Sequence, residues 1–489
     1  MMRELVQQNI YAFLTPITVL ISGLVVSLLF TRLLPPAQFG VFTTLISFTM
    51  LFAGISDLGV PNTLVKIAGG SFHSKDGHAG FYVRYLLKWK LAAMIIVSAA
   101  LLVFSKELAQ VFLHDAGFAY VMQAMSVLVI LFSISQFVTT LFTSIGRFEY
   151  LSVISVILNG SKVLFPILFI LLFGSSLSSI IEGVLVAFAL AALASLLLFL
   201  FRFKEDLSYS APKSTTKLNS FLFYSTVLVW AGLLSTNVDA LMLNYFRGPG
   251  ELAFFQVSNS VITMLLTLLP FSSTFMLSFL VRMEAKKEKE LQKIFFDRSI
   301  KYGLLASIPL SFLVYLTANR IIFFFWPQSY MPSAISLRIL SLLIPFNLLS
   351  GICVSLFMSK GRMKELTINT FIFYLFTWSI GLYLIPKYGL VGTALTFVLS
   401  AILQAIVLVR LSLKTLGMRI NPIHLLKPAL ASIIITLAIL ILNPIIKSTI
   451  LLFVIAGALF CVAYLPLLDA DDKKLINTLL SLAKLGSLF

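Results

Sequence analysis

Apolar segments of about twenty residues follow one another along almost the whole 489-residue chain, and we count fourteen of them. A helix needs about 20 apolar residues to cross the ~30 Å hydrocarbon core of a bilayer. Only 11% of the residues are charged, against about 25% in an ordinary soluble domain. The pattern predicts an all-α polytopic membrane protein and excludes a soluble enzyme, a disulfide scaffold and a disordered chain. The predicted spans are 9–33, 40–66, 85–105, 118–145, 151–173, 180–203, 218–246, 252–281, 299–324, 333–358, 366–386, 390–411, 426–443 and 448–467.

Basic residues indicate how these spans are oriented. If the N-terminus is inside, 28 of the 36 Lys and Arg residues fall on or beside inner loops and tails, seven fall at outer ends, and Lys162 alone sits mid-span. Because positive charge is retained on the cytoplasmic side, we expect both termini to be cytoplasmic in a multi-pass protein of the cell membrane. Topology then explains most of the net charge of +17, and no nucleic-acid partner is needed. An additional role in attracting an anionic substrate stays open.

An internal repeat relates the two halves of the chain. Leu141–Leu151 (LFTSIGRFEYL) and Leu356–Leu366 (LFMSKGRMKEL) match at six of eleven positions, at an offset of 215 residues. The turns Leu34–Phe42 and Arg247–Phe255 also resemble each other, at an offset of 213. Spans 1–6 therefore repeat as spans 7–12, and an even number of spans predicts parallel repeats with a cavity where they meet. The expected domains are an N-lobe at 1–203, a linker at 204–217, a C-lobe at 218–412, and two extra spans with a cytoplasmic tail at 413–489. Tight turns at 386–389 and 443–447 leave twelve or thirteen spans as alternatives to fourteen.

Several motifs in this order resemble a known transporter family. They are Thr31–Phe42 (TRLLPPAQFGVF), Asp57–Gly59 (DLG), Val238–Leu243 (VDALML) and Gly248–Glu251 (GPGE). They resemble the polysaccharide transporter branch of the multidrug/oligosaccharidyl-lipid/polysaccharide (MOP) flippase superfamily, which includes O-antigen and capsule repeat-unit flippases of the Wzx type. The chain departs from the family pattern at Ala253 and Phe255, where Gly and Tyr are usual. The resemblance implies two six-helix lobes that move polyprenyl-pyrophosphate-linked sugars from the inner to the outer leaflet.

Four residues at the middle and the outer ends of the spans are candidates for a substrate cavity. Lys162 lies near the middle of span 5, where an ammonium facing lipid costs several kcal/mol, so it should face a wet cavity or a partner. Asn159 shares its helical face. Arg32 and Arg247 end spans 1 and 7, where their planar groups suit phosphate oxygens, although snorkelling to the interface explains them equally well.

Two carboxylates and two arginines are candidates for gating or ion coupling. Asp239 in span 7 could complete the cavity by pairing with a base, or bind a coupling proton or Na⁺. Asp57, near the inner end of span 2, suits a gating role or a structural role at a helix end. Arg147 and Arg362 belong to the repeated Gly-Arg of two inner turns, where they act as topology anchors or as gate residues. The residues that share a helical face with Asp239 are Ser225, Gly232, Ser235 and Thr236.

The function predicted from these features is a flippase for a lipid-linked oligosaccharide that works by alternating access. No ATP-binding phosphate loop is present in the sequence, and we expect no cofactor or metal, with H⁺ or Na⁺ coupling as an open option. The expected partners are a polyprenyl-pyrophosphate-linked glycan, membrane lipids and glycan polymerase machinery, with spans 13 and 14 guiding the polyprenyl tail. The alternatives are a flippase for lipid II or a related cell-wall precursor and, from a different class, an integral-membrane glycan polymerase or ligase. The outer loops lack the paired carboxylates that such an enzyme would need.

Overall fold

A computed structural model of the protein describes residues 2–74, 77–202, 215–237, 239–268, 276–277, 280, 283–284, 289–415, 417 and 440–441. For some of these residues the side chains are not described, namely 2–17, 73–74, 202, 228, 231, 234–236, 239–240, 268 and 415. All regular secondary structure in the described part of the chain is helical. The predicted all-α polytopic class is therefore confirmed.

The helices of the first half follow the predicted spans closely, because each apolar run ends at a turn built from Gly, Pro or a polar residue. Pro35 is extended and Pro36 occupies the first helical position of α2, where the missing N–H costs nothing. The helices are α1 Met2–Leu33, α2 Pro36–Ser56, α3 Val60–Thr63, a π-helical turn Leu64–Ala68, α4 Gly69–Ser74, α5 Ala79–Val103, α6 Ser105–Phe112, a 3₁₀ turn Ala116–Phe118, α7 Ala119–Ser144, α8 Phe148–Phe173 and α9 Leu177–Arg202.

The second half repeats this alternation of long helices and short turns. Its last described helix is interrupted at Gly389, which has φ 52° and ψ −125°, at the tight turn predicted between spans 11 and 12. The helices are α10 Thr216–Thr236, a π-helical turn Asp239–Leu243, α11 Asn244–Arg247, α12 Pro249–Leu268, α13 Lys289–Phe325, a 3₁₀ turn Gln328–Tyr330, α14 Ser333–Ser341, α15 Leu343–Ser359 and α16 Met363–Thr415.

Within the described residues, seven helices are long and apolar enough to cross a membrane, or eight if the bent pair α14 and α15 forms one span. The count of fourteen spans is not confirmed. Predicted spans 13 and 14 lie outside the described residues except for Leu440 and Ile441. Predicted span 2, at 40–66, differs in detail because its helix stops at Ser56 and resumes at Val60.

The described contacts group the chain into two compact units. Unit 1 comprises Met1–Met264, Trp326–Ser336 and Phe371–Thr396, and unit 2 comprises the remainder. One core cluster of unit 1 includes Leu64, Leu86 and Phe142. A core cluster of unit 2 includes Phe296, Ile352 and Phe357. The division into an N-lobe, a linker and a C-lobe stays a prediction.

The two repeated Gly-Arg turns have the same backbone geometry. Gly146 has φ 76° and Gly361 has φ 67°. In the first turn Gly146 N–H donates to the Thr143 carbonyl (3.1 Å) and Arg147 N–H to the Phe142 carbonyl (2.9 Å). The corresponding distances in the second turn, from Gly361 to Met358 and from Arg362 to Phe357, are 3.1 and 3.0 Å. Both helices thus end with a left-handed glycine that satisfies their last carbonyls, which supports the repeat.

Alanine at Gly146 or Gly361 should destabilise the protein by about 1–2 kcal/mol, the cost of placing an L-residue in the left-handed region. A Cβ at either glycine has no heavy atom within 4 Å, so backbone strain alone sets the effect. Thermal unfolding in detergent, followed by tryptophan fluorescence, should show a similar drop for each variant. Gly160→Ala is the control, since Gly160 is helical and equally uncrowded. A drop for Gly146→Ala without one for Gly361→Ala would contradict the equivalence of the turns.

Candidate substrate cavity

A cavity of about 280 Å³ lies within unit 1, between α1, α2, α8, α9 and α12. Most of its wall is apolar, since these helices are membrane spans with apolar faces. Among the described residues that line it, Lys162 is the one charged group. The other polar side chains of the wall are Ser22, Ser27, Thr43, Ser47, Asn159, Gln256 and Ser260.

Lys162 reaches this cavity from the middle of α8. Its Nζ lies 4.9 Å from the centre of the Phe188 ring, a cation–π contact that partly compensates for leaving water. Pro166 lies one turn further along α8 and has no N–H, so it cannot donate the usual helical hydrogen bond to the Lys162 carbonyl. In the part of the chain that the structure describes, no carboxylate lies within salt-bridge distance of Lys162. Among the described residues, Lys162 therefore faces a mostly apolar cavity with a cation–π contact and no carboxylate partner.

Asn159 is fixed beside Lys162 by hydrogen bonds on both sides of its amide. Its Oδ1 accepts from Ser22 Oγ of α1 (2.9 Å), and its Nδ2 donates to the Ser155 carbonyl (2.8 Å). Asn159 is buried, with 6% of its surface exposed. The structure thus brings together the two cavity residues predicted on span 5, and their contact with a substrate stays a prediction.

The two predicted outer arginines do not line this cavity. Arg32 is exposed at the end of α1. Arg247 is exposed at the end of α11, and its Nη2 donates to the carbonyls of Pro386 (2.9 Å) and Lys387 (3.1 Å). Arg247 thereby holds the chain just before the turn at Gly389. A role for either arginine in binding phosphate stays a prediction.

Asp239 begins a π-helical turn, Asp239–Leu243, after α10 ends. Such turns widen a helix locally and often occur at functional sites. The side chain of Asp239 lies outside the described part, as do those of Ser235 and Thr236. Its predicted role in the cavity or in ion coupling therefore stays a prediction.

Asp57 lies at the break of predicted span 2 and forms an ion pair with Lys90 of α5. Leu58 and Gly59, with φ 46° and 66°, make the left-handed turn that ends α2. The Asp57 and Lys90 side chains are 4% and 3% exposed, and Lys90 Nζ also donates to Ser56 Oγ at 3.5 Å. A buried charge is tolerated when it is paired and hydrogen-bonded in this way. Asp57 thus lies in a buried ion pair at a helix end, and both its structural role and its gating role stay predictions.

Lys90 is not among the site residues predicted from the sequence, because it was counted with the basic residues near an inner loop. Lys162 was predicted to be the one basic residue in the middle of a span, and Lys90 is a second lysine buried inside a long helix. The signal that could have revealed it is helical spacing, since Lys90 lies on the same buried face as Val83, Leu86 and Met94. Lys88, two residues earlier, is exposed. A lysine on the apolar stripe of a helix predicts a buried partner.

Helix α10 covers the break in span 2. A Cβ on Gly59 would come within 2.6 Å of Ser225 Cβ and of the Thr226 amide nitrogen, so only glycine permits this approach. Trp230 Nε1 donates to the Ile55 carbonyl at 3.0 Å. These contacts occupy one end of the helices around the cavity. Of the two candidate gate arginines, Arg147 immediately precedes α8 and Arg362 forms an exposed pair with Glu365 at 3.0 Å, and their gating role stays a prediction.

The other end of the cavity helices is also covered. Trp326 Nε1 donates to Ser27 Oγ at 3.2 Å, and Tyr330 donates to the Leu34 carbonyl at 3.1 Å. Burial raises the pKa of the Tyr330 phenol, so this donor stays protonated. Asn244 Nδ2 donates to Thr44 Oγ1 at 2.6 Å. Hydrogen bonds between described residues therefore join helices at both ends of this group.

Comparison with known proteins now gives the family. A family model described as polysaccharide biosynthesis protein matches residues 5–278, more than half of the chain. The chain belongs to this family. No curated protein matches at the threshold used. The predicted relation to polysaccharide biosynthesis is confirmed by this match, and membership of the MOP superfamily stays a prediction.

Solved structures of low sequence identity share the fold. The lipid II flippase MurJ, in an inward closed conformation, has a TM-score of 0.76 at 15% identity and covers 96% of this chain and 100% of its own. An inward-facing multidrug resistance MATE family transporter of the MOP superfamily has a TM-score of 0.65 at 15% identity and covers 80% and 92%. A MOP superfamily transporter from Pyrococcus furiosus has a TM-score of 0.58 at 15% identity and covers 83% and 95%. These three neighbours are named as a flippase and as transporters, and the likeness at 15% identity shows that the chain shares their fold.

Proposed function

We propose that the protein is a flippase that moves a polyprenyl-pyrophosphate-linked oligosaccharide from the inner to the outer leaflet of the cell membrane. The cargo is the repeat unit of an O antigen, a capsule or an exopolysaccharide, and transport proceeds by alternating access. The observation that carries the proposal is Lys162, a cation without a carboxylate partner among the described residues, in the wall of a cavity within unit 1. The excess of basic residues on the predicted inner loops supports cytoplasmic termini.

The wall of the cavity suits both parts of such a head group. A lysine ammonium binds phosphate oxygens through charge-assisted hydrogen bonds, and hydroxyl and amide groups bind sugar hydroxyls. The volume of about 280 Å³ is below the ~300–1,000 Å³ typical of sites for drug-sized ligands. An oligosaccharide therefore needs a wider state of the same cavity, which is what alternating access supplies.

The membrane potential can drive this step. Moving one charge through the potential is worth ~2.3 kcal/mol per 100 mV, and an anionic pyrophosphate leaving an inside-negative cell is pushed outward. Coupling to H⁺ or Na⁺ through Asp57 or Asp239 would add to this force. Glycan polymerase machinery is the expected partner that receives the cargo.

Lipid II or a related cell-wall precursor is the second candidate cargo. One of the neighbouring structures is named as a lipid II flippase, and lipid II carries the same polyprenyl pyrophosphate. The two cargoes differ in their sugars, which the Lys162 contact does not distinguish. Family membership in polysaccharide biosynthesis favours the repeat unit.

A deletion strain tests the proposed function. We expect lipid-linked repeat units to accumulate in the inner leaflet, where an enzyme added outside intact cells cannot reach their sugars. Restoring the wild-type gene should remove them and return surface glycan. Accumulation of unpolymerised units on the outer face would instead favour a polymerase or ligase. Accumulation of lipid II with normal surface glycan would favour the cell-wall precursor.

A further inference from the structure

A second concavity, of about 470 Å³, lies between α1 and α8. Its wall is almost wholly apolar and includes Ile21 and Val25 of α1 and Val163, Leu164 and Ile167 of α8. Ile21 and Leu164 are 54% and 63% exposed within the described chain. We call this surface the α1–α8 groove.

The groove and the cavity are separated by a single layer of side chains. Ser22 and Asn159 line both spaces, and they are joined by the 2.9 Å hydrogen bond from Ser22 Oγ to Asn159 Oδ1. One turn away along both helices, Thr18 Oγ1 lies 3.2 Å from Ser155 Oγ. We call these four residues the α1–α8 seam. The seam is held by hydrogen bonds between hydroxyl and amide groups. When the two helices move apart, these groups can form hydrogen bonds with other partners, whereas interlocked apolar side chains cannot.

We propose that the α1–α8 groove holds the polyprenyl chain of the substrate while its pyrophosphate lies against Lys162, and that the seam opens to let the head group pass sideways. This inference rests on the proposed function. A polyprenyl chain is apolar and remains in hydrocarbon, whereas the head group needs the polar cavity. The bond that joins the polyprenyl chain to the head group must therefore pass between two helices. The seam is such a place, because its residues Ser22 and Asn159 line both the apolar groove and the polar cavity.

Gly160 strengthens this assignment. It lies on the groove wall, and a Cβ at this position would have no heavy atom within 4 Å. Because Gly160 has no side chain, the surface of α8 is indented beside Asn159. A larger side chain would fill this space without displacing a neighbour. A packing role would instead place an atom against this glycine, as Pro166 lies against Gly183 of α9. This proposal places the polyprenyl tail beside α1 and α8, whereas the sequence analysis expects spans 13 and 14 to guide it.

A disulfide across the seam tests whether it opens. In a cysteine-free background, Thr18→Cys with Ser155→Cys places two sulfur atoms where the hydroxyl oxygens lie 3.2 Å apart, and closing a bond of about 2.0 Å needs little movement. We expect oxidation to stop translocation in proteoliposomes and a reductant to restore it. Ser176→Cys with Ser179→Cys, whose hydroxyl oxygens are 2.8 Å apart in one turn, is the matched control and should be unaffected. Full translocation by the oxidised seam variant would overturn the proposal.

Photo-cross-linking tests where the chain lies. A photoreactive residue at Val163 on the groove is compared with one at Leu200, which is 62% exposed on α9. The probe is a polyprenyl pyrophosphate with a tritiated chain in vesicles of phosphatidylethanolamine and phosphatidylglycerol. We expect strong labelling at Val163, only background labelling at Leu200, and loss of the difference with Lys162→Met.

The outcomes separate the two proposals. Equal labelling at both positions, together with translocation that depends on Lys162, overturns the groove assignment and leaves the proposed function intact. Translocation and labelling that both ignore Lys162→Met overturn the contact between the pyrophosphate and Lys162, whereas no translocation by the folded wild-type protein overturns the proposed function. A further outcome is that Lys162→Met abolishes translocation but leaves the labelling at Val163 unchanged. The polyprenyl chain would then lie in the groove whether or not the pyrophosphate contacts Lys162. This would overturn the proposal that the two contacts form together.

Discussion

Replacing Lys162 by methionine should reduce export of lipid-linked glycan by about 10- to 100-fold, because a hydrogen bond to a charged group is worth about 1.5–3 kcal/mol. The methionine keeps the length and apolar stem of the side chain while removing the cation that faces the cavity. The stability of the protein should not fall, since a charge inside a membrane span is costly. Surface glycan at equal protein levels, together with thermal unfolding in detergent, measures both effects.

The matched control for this substitution is Lys106→Met. Lys106 is exposed near the start of α6, so the same loss of one positive charge should leave export unchanged. Lys162→Arg keeps the cation and should retain part of the activity. Export by Lys162→Met at the wild-type rate would mean that the cavity does not bind the anionic part of the cargo.

Breaking the Asp57–Lys90 pair should be strongly destabilising. Removing one partner of a buried ion pair leaves an uncompensated charge and costs about 3–5 kcal/mol. We expect Lys90→Met and Asp57→Asn each to lower the unfolding temperature and the amount of folded protein in the membrane. The double variant leaves no buried charge in the pair and should recover most of the loss. Arg362→Met, which breaks the exposed pair with Glu365, is the control and should cost about 0–1 kcal/mol.

The double variant also separates a structural role from ion coupling. If the pair only fixes the break in span 2, the stable double variant should transport with the normal dependence on proton and sodium gradients. If Asp57 carries the coupling ion, the variant should fold but lose that dependence when the gradients are collapsed with ionophores. Instability of the double variant equal to that of the single variants would contradict the account of the buried pair.

Much of the fold was predictable because hydropathy and turn residues act locally. The apolar runs predicted the helices, and the repeated Gly-Arg predicted two equivalent turns, which Gly146 and Gly361 form in the left-handed conformation. The Asp57–Gly59 motif suggested a helix end, but not that a helix resumes at Val60. The close approach of α10 to Gly59 is likewise a contact between segments far apart in sequence, which the motif does not show.

The candidate site was predictable only where one helix supplies it. Lys162 and Asn159 lie on one face of α8, so helical spacing placed them together. Helical spacing places Lys90 on the apolar face of α5, but its partner Asp57 lies at the end of another helix. The use of Arg247 as a donor to the Pro386 carbonyl, 139 residues away, likewise depends on tertiary structure. Periodicity within one span carries no information about such partners.

Reconstituted transport tests the central claim most directly. Purified protein is placed in vesicles that carry a polyprenyl-pyrophosphate-linked oligosaccharide in both leaflets, and a glycosidase added outside digests the sugars it can reach. With a potential applied in the direction of transport, wild-type vesicles should expose the protected fraction to digestion, whereas Lys162→Met and protein-free vesicles should keep it protected. Equal protection in wild-type and protein-free vesicles, with the protein shown to be folded, would contradict the assignment of this protein as a flippase.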